Sequence, residues 1–517
     1  MSGASAAPAC NFATGHAVRR ATTLRCDNPC KEAELAGLPT RHPAPAGGDL
    51  AAMSTPAREF DAIIIGAGQA GPFLAARLTA SGMTVALIER KHVGGTCVNT
   101  GCMPTKTLIA SARAVHVVRR AADYGVITGD VGFDMDVAAA RARQVIENAR
   151  ASNETWLGTM NGLTFIRGHA RLTGPTTLMV EGQELSAPKI FLNVGGRARV
   201  PEIPGIEEVP YLDNTDMVGL TEVPDHLVII GGGYVGIEYA QMHRRFGARV
   251  TIVERGERLA AHEDRDISAA MTALLEQEGV VVRTGADCIS LTAEGSGVAV
   301  GVDCREGDRV VRGSHVLMAV GRRPNTDDMG LGTAGVEVDG QGYIRVDDML
   351  RTNVDGIWAL GECNGRGAFT HTAYNDFEVV AANLLDGDRR SLDMRVPAYA
   401  VYTDPPLGRV GMTEAEAIAK GHAILVSTRP MSRVSRAVEK GETTGMMKLI
   451  ADAATRCILG AAIFGIDGDE AIHAVLSLMS AGETVDTLRW AVPIHTTTAE
   501  FFPTLAVELA PPGRVPR

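Results

Sequence analysis

"DAIIIGAGQAGPFLAARLTASGMTVALIER", residues 61–90, runs from an apolar strand through a glycine turn and a helix to a second apolar strand ending in Glu89. The same order returns at 226–255, "HLVIIGGGYVGIEYAQMHRRFGARVTIVER", ending in Glu254. In Gly66-x-Gly68-x-x-Gly71 the first glycine allows the tight turn, and the second lets a pyrophosphate approach the backbone. The third lets helix and strand pack closely, while the helix N-terminus favours negative charge. Gly231-x-Gly233-x-x-Gly236 repeats every element. A lone glycine-rich turn is weak evidence. Strand, helix and terminal acid together, twice over, imply two dinucleotide-binding domains.

A carboxylate at the end of the second strand, Glu89 or Glu254, can accept hydrogen bonds from ribose hydroxyls. Two such units in one chain suit a flavin and a nicotinamide, between which hydride passes naturally. Glu254 suits the free 2′-hydroxyl of NADH and repels the 2′-phosphate of NADPH, a repulsion that Arg255 and Arg258 partly offset. NADH is favoured and NADPH is admitted.

The chain has 517 residues, too many for one ordinary core, and 45% apolar with 21% charged residues describes a soluble globular protein. A net charge of −11 gives no reason to expect nucleic acid or an anionic membrane surface as partner. No apolar run approaches the roughly 18 residues of a membrane span. Nine cysteines, an odd number in a long chain, do not look like a secreted disulfide scaffold, so a cytoplasmic, reducing setting is expected. The scattered Cys288, Cys304, Cys363 and Cys457 are read as inert core thiols.

Residues 1–53 are rich in Ala, Pro, Gly and Arg without periodicity, and are read as a disordered or over-called extension. Cys26 and Cys30 within it are two ligands without a partner pair, weak evidence for a metal. Helical stretches are expected near 103–124 and 134–161, β-rich sequence from Leu163 to Val194, and a mixed α+β region over the last 125 or so residues.

"GGTCVNTGCMPTK", residues 94–106, places Cys97 and Cys102 five positions apart. On a regular helix that spacing is about 7.5 Å of rise, beyond a comfortable disulfide, so bridging requires an irregular turn, which Gly101 and Pro104 supply. Zinc would need two further ligands, and no second pair lies nearby; no metal site is assigned. A strained disulfide at a helix N-terminus, easily reduced, is the reading that fits.

This stretch resembles the redox signature of the class I pyridine nucleotide–disulfide oxidoreductases, which include glutathione reductase, dihydrolipoamide dehydrogenase and mercuric reductase. The similarity runs from about residue 59 to 509. It implies an α/β fold with two Rossmann-like domains, one for FAD and one for NAD(P), plus a C-terminal α+β dimerisation domain. The implied partition is 54–205 for the first part of the FAD domain, 206–325 for NAD(P), 326–390 for the FAD return and 391–517 for dimerisation. One tightly bound FAD per subunit and a homodimer follow from the same resemblance.

The resemblance further implies that Cys102 lies nearest the flavin, as the thiolate of a charge-transfer pair, and that Cys97 attacks the acceptor. Lys106 lies near the flavin and pairs with Glu238, and Tyr234 is the gate that moves aside for the nicotinamide. Gly95 and Thr96 join the FAD site and Gly321 the NAD(P) site. "GIWALGEC" matches the second FAD motif, with Glu362 where the family has Asp; its extra methylene still reaches a ribityl hydroxyl. Near the C-terminus, "PIHTTTAEFFPT" keeps a His and a Glu, His495 and Glu500, while Pro493 and Thr496 depart from the family pattern. Alone, such a pair is ordinarily a structural hydrogen bond. In the family it serves the partner subunit's active site, moving a thiol proton.

The expected activity is FAD-dependent NAD(P)H oxidation, passing electrons through the Cys97–Cys102 disulfide to a disulfide acceptor. Run in reverse, it oxidises a dithiol such as dihydrolipoamide with NAD⁺. Mercuric-type metal reduction is the alternative, although the terminal vicinal cysteines typical of mercuric reductases are absent and the last cysteine is Cys457. A non-catalytic flavoprotein redox sensor is the remote alternative.

Overall fold

The computed structural model describes residues 57–303 and 307–513. The readings of the 1–53 extension, of Cys26 and Cys30, and of the Cys288 and Cys304 side chains fall outside what it describes. β1 (Ala62–Ile65) leads through the first glycine turn to α1 (Gly71–Ala80) and β2 (Val85–Glu89). Every residue of β1 is buried, because helices and loops cover both faces of a parallel sheet; the strand therefore reads as a continuous apolar run. Two helices follow, α2 (Gly95–Asn99) and α3 (Cys102–Arg119), then α4 (Met135–Gly158), β3 (Leu163–Arg167) and β4 (Ile190–Leu192).

The second unit comprises β5 (Tyr211–Leu212), β6 (His226–Ile230), α5 (Tyr234–Phe246), β7 (Arg249–Val253), α6 (Arg265–Gln277), β8 (Val281–Arg283) and β9 (His315–Met318). The chain then returns to the first sheet through β10 (Ile357–Ala359), which pairs with β4. Both sheets are parallel and five-stranded, in the orders β10-β4-β1-β2-β3 and β5-β9-β6-β7-β8. In each, the strand preceding the glycine turn is central, and its carboxyl end is where such sheets open a crevice.

After α7 (Thr370–Ala381) the chain builds an antiparallel sheet. Its strands are β11 (Ala398–Val401), β12 (Leu407–Gly411), β13 (Ile424–Pro430), β14 (Met446–Asp452) and β15 (Ile458–Phe464), in the order β11-β12-β15-β14-β13. Ile472 and Val475 of α8 (Gly468–Ser480) pack with Val410, Ala461 and Ile463 of that sheet in one core. The mixed α+β character read from the sequence is thus present.

Ion pairs tie α3 to its surroundings. Arg113 of α3 meets Asp404 and Glu442, and Arg245 of α5 binds Asp404 (2.5 Å) and Glu278 (2.7 Å) with its side chain 4% exposed. Asp404 thus joins the half-exposed Arg113 of α3 to the buried Arg245 of α5, and removing a partner from the buried Arg245 pair typically costs about 3–5 kcal/mol.

One reading needs correction. Cys363 is fully buried, as expected of a core thiol, but Cys457 is exposed. It follows the tight turn after β14, whose Arg456 has φ +60°, and stands just before β15 rather than inside the sheet. Among the described residues no helix is long and apolar enough to cross a membrane.

Candidate active site

The two glycine turns are built alike. Gly66 (φ +106°) and Gly231 (φ +112°) take a conformation open to glycine, and a side chain there would meet the Asn193 carbonyl at 2.1 Å or the Ala319 carbonyl at 2.4 Å. Gly71 and Gly236 lie within the packing of helix on strand, where a Cβ would fall 2.2 and 2.1 Å from the carbonyls of Gly66 and Gly231. Glu89 accepts from Ala67 N–H (2.9 Å) and Lys91 N–H (2.8 Å). Glu254 accepts from Gly232 N–H and Gly256 N–H, both at 2.5 Å. Each acid is therefore fixed at its strand end by its own turn, with lone pairs left for a further donor.

These residues fit two dinucleotides. Neither α1 nor α5 has a capping side chain on its N-cap residue or an acid in its first turn, so no carboxylate of the helix itself cancels the positive end. At Gly233 a Cβ would meet no protein atom within 4 Å, so the space beside the backbone is free for a ligand. One continuous cavity of about 1990 Å³ includes both turns, roughly twice the upper end of ordinary small-molecule sites.

Cys97 lies on α2 and Cys102 is the first residue of α3. The required irregular turn is present: Thr100 (φ −146°, ψ 15°) and Gly101 (φ −135°, ψ −116°) leave helical geometry between the two helices. Both cysteines are free thiols here, the reduced form of such a pair. Their chemistry is unequal. The Cys97 thiol donates to Cys102 and, together with the Thr370 hydroxyl at 3.3 Å and the Lys106 ammonium, lowers the Cys102 pKa to about 6 against the effect of burial. The same hydrogen bond, with burial and the neighbouring sulfur charge, pushes Cys97 up. At neutral pH the geometry favours a thiolate on Cys102 and a proton on Cys97.

Lys106, one turn along α3, pairs with Glu238 of α5 at 2.6 Å, and the other Glu238 oxygen accepts from Tyr402 N–H at 2.8 Å. Tyr234 opens α5 and faces the cavity. Glu362 is gripped by the Arg322 guanidinium fork at 2.5 and 2.9 Å, and both residues line the cavity. Gly68, Gly95, Thr96 and Gly321 line the same cavity as Cys97, Cys102 and Lys106.

His495 and Glu500 lie elsewhere. Glu500 Oε2 accepts from His495 Nδ1 at 2.7 Å, which fixes the proton on Nδ1 and leaves Nε2 free; the His495 side chain is 76% exposed. Neither residue lines the cavity of its own chain. The preceding Trp490, Val492 and Ile494 are also largely exposed.

Sequence reasoning missed four groups at this cavity. Thr370 contacts Cys102, and Asn193 accepts from Gly71 N–H (3.2 Å) while donating to the Leu360 carbonyl (3.1 Å). Tyr399 and Arg409 reach the Tyr234 region from the antiparallel sheet. No short motif announces any of them. Arg322 directly follows Gly321, the residue assigned to the NAD(P) site, and was not itself singled out.

Fold and site together define a two-nucleotide oxidoreductase with a reactive thiol pair. The family model described as pyridine nucleotide-disulphide oxidoreductase matches residues 60–376, and its dimerisation domain matches 397–506. The chain is 36% identical over 451 residues to the probable pyridine nucleotide-disulfide oxidoreductase RclA of Escherichia coli, covering 86% of this chain and 97% of that one. It is 33% identical over 444 residues to a mercuric reductase of Bacillus cereus (86% and 70%), and 32% identical over 447 to a dihydrolipoyl dehydrogenase of Thermus scotoductus (86% and 96%). Among solved structures, the Cu(II) complex of the HOCl-induced flavoprotein disulfide reductase RclA from Escherichia coli superposes with a TM-score of 0.79 at 34% identity, covering 87% and 99%. The chain belongs to the pyridine nucleotide-disulphide oxidoreductases, and it is an FAD-dependent enzyme of that class.

Proposed function

We propose that this cavity is the active site of a homodimeric, cytoplasmic reductase that takes electrons from NADH in preference to NADPH and delivers them through Cys102 and Cys97 to a disulfide. With a dithiol donor and NAD⁺ the same site runs in reverse. One observation carries the reading: a thiolate-favouring cysteine at the N-terminus of an 18-residue helix opens into a cavity shared by two dinucleotide-type glycine turns. FAD, bound at the Gly66–Gly71 turn with Glu89 and Glu362, supplies two-electron exchange between nicotinamide and thiols. The partition into 54–205, 206–325, 326–390 and 391–517 goes with this assignment.

The protein's own groups then have distinct tasks. Cys102 holds negative charge beside Lys106, while Cys97 keeps its proton until a base removes it. His495, with Glu500 on Nδ1 and Nε2 free, is that base for the partner subunit's thiol pair. The exposed Trp490, Val492 and Ile494 support the pairing of two copies, since large apolar groups beside a functional histidine are ordinarily covered. For the nicotinamide, Glu254 disfavours a 2′-phosphate. Arg258 is spent on the carbonyls of Glu263 and Ala261, which leaves exposed Arg255 as the remaining basic neighbour.

Metal reduction stands as the second reading, favoured by thiols open to the cavity and by relatives named for mercury or solved with Cu(II). A panel measurement separates the two. Full-length, flavin-loaded protein is given NADH or NADPH with oxidised glutathione, lipoamide, quinones, Hg(II) and Cu(II). Disulfide turnover, lost in Cys102→Ala, is expected. Rates confined to the metal ions would replace the first reading with the second. Anaerobic NADH should also raise a long-wavelength absorbance from the Cys102 thiolate that fades as pH falls through about 6. A band indifferent to pH between 5 and 8 would remove Cys102 from this role.

A further inference from the structure

Tyr234 is tied down. Its hydroxyl lies 2.9 Å from Glu263 Oε1 and 3.0 Å from the Tyr399 hydroxyl, and the Tyr399 hydroxyl lies 2.6 Å from the same Glu263 oxygen. Glu263 Oε2 accepts from Arg409 Nε (3.0 Å) and Nη2 (2.7 Å), and Arg409 Nη2 also reaches Asp264 at 2.7 Å. The Glu263 and Arg409 side chains are 0% and 1% exposed. Tyr399 stacks on Phe369 with ring centres 5.5 Å apart, which fixes its ring. Tyr234 and Glu263 belong to the second nucleotide unit, whereas Tyr399 and Arg409 come from β11 and β12 of the antiparallel sheet.

We propose that Glu263, aimed by Arg409 and shared with Tyr399, is the latch that holds Tyr234 closed and thereby sets the affinity for the nicotinamide dinucleotide. The inference rests on the reading of Tyr234 as the gate. Burial and the Glu263 charge push both tyrosine pKa values up, so the two hydroxyls remain donors. Each hydroxyl carries one proton. When Tyr234 swings away, Glu263 keeps Tyr399 on Oε1 and Arg409 on Oε2, so no buried charge is stranded. Opening therefore costs one hydrogen bond rather than an ion pair, a cost small enough for a gate and large enough to weight the closed form. Apparent affinity scales with the fraction of open gate.

This sharing predicts opposite signs for two variants that each lose one hydroxyl. Tyr234→Phe keeps the ring and frees the gate. NAD⁺ should bind the oxidised holoenzyme more tightly by roughly three- to tenfold, with KM for NADH falling in step and kcat not rising. Tyr399→Phe leaves Tyr234 as the only donor to Glu263 Oε1, so opening would strand that oxygen; binding should weaken by a similar factor. Flavin absorbance titration with NAD⁺ and thermal unfolding of wild type and both variants give the readouts. A purely structural role would lower the melting temperature and shift both affinities the same way, and that result overturns the latch. Should Tyr234→Phe fail to retain flavin, Tyr399→Phe decides alone, and unchanged or tighter binding overturns the proposal. A wild-type enzyme that binds neither NAD⁺ nor NADP⁺ removes the gate reading itself, and the latch with it.

Discussion

The two βαβ units share a turn, a helix start and a terminal acid held by the same two amides, yet they differ at the residues that touch those features. In the first unit Asn193 follows β4 and braces the turn: it accepts from Gly71 N–H, donates to the Leu360 carbonyl, and would lie 3.1 Å from a Cβ on Gly68. Ala319 holds the equivalent place after β9, and a Cβ on Gly233 would meet nothing within 4 Å beyond its own chain neighbours. After the second glycine the first unit has Gln69, which donates to the Gly94 carbonyl of the cysteine loop at 2.9 Å; the second has Tyr234, tied to Glu263. A braced turn suits a cofactor that stays, and an unbraced one with a tethered aromatic suits a cosubstrate that comes and goes.

The largest expected effect tests whether the turns act separately. Gly71→Ala and Gly236→Ala each drive a Cβ to within 2.2 Å of a backbone carbonyl, an overpacking expected to cost about 3 kcal/mol or more. Gly71→Ala should purify without flavin. Gly236→Ala should stay yellow and fail to be reduced by NADH. Equal loss of flavin from both variants would mean the second turn is not a separate nucleotide site.

Next comes the brace. Asn193→Ala takes the acceptor from the Gly71 amide and the amide donor from the buried Leu360 carbonyl, a loss of about 2–3 kcal/mol. Flavin retention should fall while the affinity for NAD⁺ in the remaining holoenzyme holds. An unchanged flavin content would show that the contrast between Asn193 and Ala319 has no bearing on residence.

How much of this contrast was legible in the sequence follows from range. The strands, helices and glycine turns are local and periodic, and they stand where the 61–90 and 226–255 patterns put them. The break between α2 and α3 was readable from Gly101 and from a spacing that suits no continuous helix. Asn193 was not, because it reaches the first turn across 122 residues; Arg409 meets Glu263 across 146. Such contacts depend on how sheets are placed together, which no periodicity records. Cys457 was misread for the opposite reason: its neighbours look like strand, but the turn after Asp452 carries it to the surface.

A smaller effect is expected at the acids. Glu254 binds an amide through each oxygen, so Glu254→Gln keeps one acceptor and turns an amide N–H₂ toward the other N–H. NADH affinity should fall by about tenfold, and the preference over NADPH should shrink. The matching Glu89→Gln change should leave NADH affinity alone and loosen flavin. A NADH preference unmoved by Glu254→Gln would assign nucleotide choice to Arg255 and its surroundings instead.

The last contrast lies on the helices, at positions seven residues past the third glycine. Leu78 fills that place in α1 and is fully buried, whereas His243 fills it in α5, also fully buried, with neither ring nitrogen hydrogen-bonded. Packed against Tyr239 and Phe246, the ring keeps a pKa pushed down to about 3, chiefly by burial and secondarily by His315. The unfolded chain takes up a proton near pH 6.5 that the folded chain refuses, so stability falls as pH drops from 6.5 toward 3. His243→Leu removes that difference and makes the second helix like the first. At pH 7 the variant should gain about 1–2 kcal/mol by removing two unpaired polar atoms. Its advantage over wild type should grow by about 2 kcal/mol at pH 5, read from denaturant midpoints at the two pH values. An advantage that stays constant between them would mean that the imidazole finds a proton partner in the folded protein, and the two helices would then differ in chemistry as well as in shape.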